Sequence, residues 1–97
     1  MLAAVARLQP LLDHGEATAG LTAVVSRGGI VLSRPGQTAS LAEPEPDPRF
    51  RLTFLGGDQF GLSLRRLERW ELLPFQGAVQ DLVDVMNTAL AHWASDW

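Results

Sequence analysis

Two histidines, five serines and no cysteine are the first candidates for nucleophilic or metal-binding chemistry in this 97-residue chain. His14 stands in Asp13-His14-Gly15-Glu16, at the end of an N-terminal helical pattern, and His92 lies on the polar edge of a C-terminal one. Neither has a second histidine four residues away, the spacing that builds a helical metal site, so both read as surface side chains. No serine occupies a Gly-x-Ser-x-Gly elbow: Gly61-Leu62-Ser63-Leu64-Arg65 lacks the second glycine and lies in a strand pattern. The pairs Gly28-Gly29 and Gly56-Gly57 are not phosphate loops, because neither lies between a strand and a helix and the chain has no lysine to reach a phosphate. Asp81 and Asp84 share the polar side of a helix and read as a solvated face. The expectation is a protein that is not an enzyme and has no catalytic residue, no metal and no cofactor.

One group of residues has chemistry to offer. Arg49, Arg51, Arg65, Arg66 and Arg69 cluster along a strand pattern and just beyond it, and aligning its two arms sets Arg49 across from Arg65, with Arg51 beside Ser63. Like charges placed opposite one another on a sheet repel, so an anion should offset them. A nucleic-acid backbone or anionic ligand would suit the planar guanidinium fork. The competing reading is internal neutralisation, by Glu43, Glu45 and Asp47 just before the strand or by Glu68 and Glu71 just after it. It is the stronger one, since the outward face of the hairpin has no aromatic residue on which a base would stack.

The elements that must position these arginines follow from composition and periodicity. With 46% hydrophobic and 20% charged residues, the chain fits one domain, residues 1–97, with one core. The net charge of −3 argues against a field that wraps nucleic acid. No cysteine framework exists, the N-terminus lacks the pattern of a secretion signal, and no apolar run approaches membrane-spanning length. A cytoplasmic protein without membrane contact is expected. Arginine without lysine, alongside abundant Ala, Leu and Gly, suggests a GC-rich bacterial genome.

Val5, Leu8 and Leu12 predict a helix over about 2–14, interrupted or shortened at Pro10 and ended by Gly15. Residues 21–33 read as a hairpin turning at Arg27-Gly28-Gly29, of open register and with both faces largely buried. Residues 34–48 form an acidic, proline-rich loop. In the second hairpin, Phe50, Leu52 and Phe54 pair with Leu64, Leu62 and Phe60 if 56–58 form a three-residue loop that sets Leu55 against Gln59. Residues 65–73 fit either a short helix or a strand. From Phe75 onward, apolar positions at 75, 79, 82, 86, 89 and 93 predict one long helix.

The expected fold is α+β: an antiparallel sheet of four to five strands with an N-terminal helix and a long amphipathic C-terminal helix on one face. The apolar arc of that last helix covers roughly 160°, wider than one core contact needs, which predicts a second neighbour. A homodimer through this helix is the first functional expectation, with Val83, Leu90, Trp93 and Trp97 as interface residues and an unidentified protein as further partner. Nucleic-acid or anion binding through the arginines is the second, and a small-molecule pocket between sheet and helix the third.

Overall fold

The computed structural model describes residues 2–34, 47–66 and 69–94. These form α1 (Leu2–His14), β1 (Thr22–Ser26), β2 (Gly29–Arg34), β3 (Asp47–Gly56), β4 (Gln59–Arg66), β5 (Arg69–Gly77), α2 (Val79–Asn87) and α3 (Ala91–Ala94). The strands pair antiparallel in chain order as a five-stranded meander, flanked by helices at both ends. Among the described residues no helix is long and apolar enough to cross a membrane.

Period-2 alternation splits the sheet into two faces. One face carries the rows Ala23–Leu32–Phe50–Leu64 and Val25–Ile30–Leu52–Leu62, read across successive strands. Most of these side chains join Ala4, Leu8 and Leu12 of α1 and Val79, Leu82, Val83 and Met86 of α2 in one core. Each fully buried Leu or Phe contributes on the order of 1.5–3 kcal/mol, so this double layer is the main source of stability. Pro10 lies inside α1, which nevertheless runs unbroken, because Leu8 and Leu12 on either side of it are fully buried and hold the segment on the sheet.

The second hairpin pairs Phe50 with Leu64, Leu52 with Leu62 and Phe54 with Phe60, as the alternation requires. Its turn is different from the three-residue loop. Gly56, not Leu55, opposes Gln59, and Leu55 is the extra residue of a bulge. Gly56 and Gly57 take φ values of 120° and 57°, which glycine alone adopts without cost and which let the chain reverse over Gly57-Asp58. The first hairpin turns over Arg27-Gly28, with Val25 against Ile30 and Val24 against Val31. Its faces are not both buried: β1 is an edge strand, and Val24 is 57% exposed. Both ends of the expected 34–48 loop are strand, since Arg34 closes β2 and Asp47 and Pro48 open β3; residues 35–46 lie outside the described ones.

The long C-terminal helix is replaced by a strand and two short helices. Residues 69–73 are strand, and β5 continues through Pro74 and Phe75 to Gly77. Leu73 and Phe75 alternate toward the core, so the strand period wins over the apparent helical one. Pro74, which cannot donate to a ladder, falls where the β4–β5 pairing is irregular, between Ser63–Leu72 and Gly61–Gln76. Helix α2 starts where the Asp81 carboxylate accepts the Ala78 N–H at 3.3 Å. It stops at Thr88, whose hydroxyl donates to the Asp84 carbonyl at 2.7 Å and competes with the helical ladder.

Candidate functional site

The predicted arginine cluster separates into four environments. Arg49 is the extra residue between the Leu32–Phe50 and Ser33–Pro48 pairs, and this bulge takes it off the outward face. It is only 7% exposed, and its guanidinium bonds the Asp47 carboxylate at 2.9 and 2.8 Å and the Trp93 carbonyl at 3.2 Å. The expected pairing of Arg49 with Arg65 therefore gives way to internal neutralisation by Asp47. Arg34, which the sequence pattern left in a loop, donates to the Ala94 carbonyl at 2.7 Å and the Ala17 carbonyl at 2.9 Å. Two arginines from adjacent strands thus cap the carbonyl end of α3 and fasten it to the sheet.

Arg51 stays on the outward face opposite Ser63 and donates to the Arg27 carbonyl in the first turn. Arg65 pairs with Trp70 across β4 and β5, its guanidinium carbon 5.4 Å from the ring centre. That distance permits a cation–π attraction of roughly 0.5–1 kcal/mol. Beyond the hairpin, Trp70 adds an aromatic residue to the outward face of the sheet, because residues 69–73 are strand. Arg66 and Arg69 oppose each other and are exposed; Glu68 lies outside the described residues. Among the described residues, no carboxylate forms an ion pair with Arg51, Arg65, Arg66 or Arg69.

The surface on which Arg51 and Arg65 stand is defined by two rows that cross all five strands. The first is Val24–Val31–Arg51–Ser63–Leu72, and the second Ser26–Gly29–Thr53–Gly61–Gln76. Leu72 is 76% exposed at one end of the first row, with the exposed Val24 at the other. Leu55, thrown out by its bulge and half exposed, reaches over Gly61: a Cβ there would lie 3.7 Å from its Cδ1. None of these positions, nor Arg65 and Trp70 beside them, holds a carboxylate. The described acids lie elsewhere: Asp13 and Glu16 by α1, Asp81 and Asp84 on α2, Asp58 in a turn beside Arg7, Asp47 on Arg49, and Glu71 on the row of Leu64.

Three of the four candidate interface residues lie among the described ones. Val83 and Leu90 are buried in the chain's own core, and Trp93 is half-buried against it. The extra width of the apolar arc is covered within one chain, by α1 and the sheet. Trp97 lies outside the described residues. His14 and His92 are exposed, the latter edge-on to Trp93 with ring centres 5.5 Å apart. Asp96, four residues after His92, lies outside the described residues. Among the described residues no group of three or more His, Asp or Glu could hold a metal ion.

Sequence reasoning missed the polar knot that joins the two ends of the chain. The Asn87 amide oxygen accepts the N–H groups of Ala17 at 2.8 Å and Thr18 at 3.1 Å. Its nitrogen donates to the Thr18 hydroxyl at 3.1 Å and the Val83 carbonyl at 3.0 Å. Gln9 similarly ties α1 to the edge strand, accepting the Ala23 N–H at 3.0 Å and donating to the Leu21 carbonyl at 2.9 Å. No periodicity announces such residues; the only available cue was an amide inside an otherwise apolar pattern. No family model, curated protein or solved structure matches the chain, so its function has to be argued from this geometry.

Proposed function

We propose that this chain is a small non-enzymatic binding protein that acts through protein–protein contacts, with the outward face of its sheet as the contact surface. The observation that carries the reading is where the apolar exposure lies. The helices bury their apolar residues internally, whereas Leu72, Val24 and Leu55 stand out on the outward face of the sheet, with Trp70 and two arginines between and beside them; Val25 and Phe54 are exposed at the rim of the other face. Trp and Arg are enriched in interface cores and among the residues that dominate binding energy, and the exposed aliphatic side chains beside them add apolar area. The helix-mediated homodimer loses its support, because Val83 and Leu90 are already in the core.

A photo-crosslinking amino acid placed at Val24, Thr53 or Gln76 in cells tests the surface, with Gln80 and Asp84 on α2 as controls. Adducts formed from the sheet positions and lost on adding Leu72→Asp are expected. Adducts formed only from the α2 positions would refute the assignment. Nucleic-acid binding is the second reading, favoured by one observation: Trp70 supplies the stacking surface whose absence counted against it, although Arg65 already occupies that ring.

A further inference from the structure

Resting on the sheet-face reading, we infer that the partner is an acidic segment of another protein that interleaves carboxylates with apolar side chains. Charge separation carries the inference. The chain as a whole is at −3, yet the outward rows hold Arg51 and Arg65 and no carboxylate, with Arg66 and Arg69 paired at the adjoining strand ends. Among the described residues, Arg51 and Arg65 are engaged by groups that leave their charge uncompensated, a carbonyl and an indole ring. A cationic face on a net acidic molecule selects by attraction and, equally, by repelling basic partners. Leu72, Val24 and Leu55 supply the apolar half of the match.

A second copy fits this face poorly, since two-fold pairing of identical surfaces brings Arg51 and Arg65 toward their own counterparts. Extension of the sheet into a second copy is also obstructed. At one edge the Ala23 N–H is taken by Gln9, and at the other β5 is irregular and carries Pro74. What remains is a partner with the opposite charge.

The test is selection from a displayed library of random linear peptides on the wild-type protein, with counter-selection on an Arg51→Glu/Arg65→Glu variant. Should that variant fail to fold, Arg65→Ala/Leu72→Ser replaces it. Peptides enriched in Asp and Glu alternating with Leu, Ile or Phe are expected, with binding weakened about ten-fold for each arginine lost and reduced by added salt. Enrichment of neutral or basic peptides that still depend on Leu72 would overturn the acidic partner while leaving the sheet face as a binding surface. Failure to enrich any peptide over the variant would remove the face itself. Tight binding of oligodeoxythymidine lost in the same variant would assign the face to nucleic acid and overturn the inference. So would a dimer at ~100 μM that Leu72→Asp dissociates, which would give the face to a second copy.

Discussion

Replacing Asn87 by alanine should destabilise the domain by about 2–4 kcal/mol, because the truncation strands the Ala17 and Thr18 N–H groups at a cost of ~1–3 kcal/mol each. Thr18 is fully buried and Ala17 nearly so, and among the described residues neither N–H has another backbone or side-chain partner to turn to. The estimate sits below the sum of two full penalties, since both bonds are only partly buried and water can reach the loop once the amide is gone. In a domain of this size such a loss lowers Tm by roughly 10–25 °C. Urea unfolding followed by tryptophan fluorescence measures it as a lower midpoint at unchanged slope. Asn87→Leu separates the two possible origins, because it refills the volume but restores no acceptor. If orphaned N–H groups dominate, leucine is no better than alanine. A near-wild-type midpoint for Asn87→Ala, or recovery with leucine, would refute the argument that the amide is what joins the 15–21 turn to α2.

Other outcomes follow from the same contacts. Gly15→Ala drives a Cβ into the Thr18 hydroxyl and the Asn87 amide nitrogen, so it should cost ~1–3 kcal/mol by overpacking, and part of that should vanish in an Asn87→Ala background, as a double-mutant cycle would show. Phe60→Ala should cost about 3–4 kcal/mol and Phe54→Ala about 1 kcal/mol, although the two rings touch with centres 5.6 Å apart, because Phe60 is buried and Phe54 is 46% exposed; equal losses by chemical denaturation would contradict the burial. Arg49→Gln should loosen α3, read as faster amide exchange over 91–94 and a red shift of tryptophan emission, since the Asp47 and Trp93 bonds go together. Leu72→Ser should leave stability within ~0.5 kcal/mol of wild type while abolishing partner binding; a large loss of stability would place Leu72 in the fold and not on a free surface.

The residues that carry a two-fold period announced themselves. Phe50, Leu52, Phe54, Phe60, Leu62 and Leu64 alternate along two short runs, and a one-residue slip would have turned half of them to water, so their pairing followed from the pattern alone. The order of the predicted elements likewise pointed to an α+β fold, and composition excluded thiol chemistry. The first helix was legible for the same reason: Leu8 and Leu12, four residues apart, are fully buried.

What the pattern could not decide is where one period hands over to the other. Phe75 and Val79 are four apart, a spacing that a helix and the last residues of a strand followed by a helix satisfy equally; the neighbouring β4 decided for strand as far as Gly77. The same strand settled residues 69–73, which puts Trp70 and Leu72 on the outward face, while the apolar residues of α2 turn inward. The arginines were redistributed by a bulge at Arg49, a one-residue event invisible to any periodicity, which sent one cation to Asp47 and α3 and left Arg51 and Arg65 outside. Side-chain period is a property of the chain, and the sequence determined it. The choice of which period continues, and of which charges meet, depends on partners distant along the chain that only the folded structure brings together.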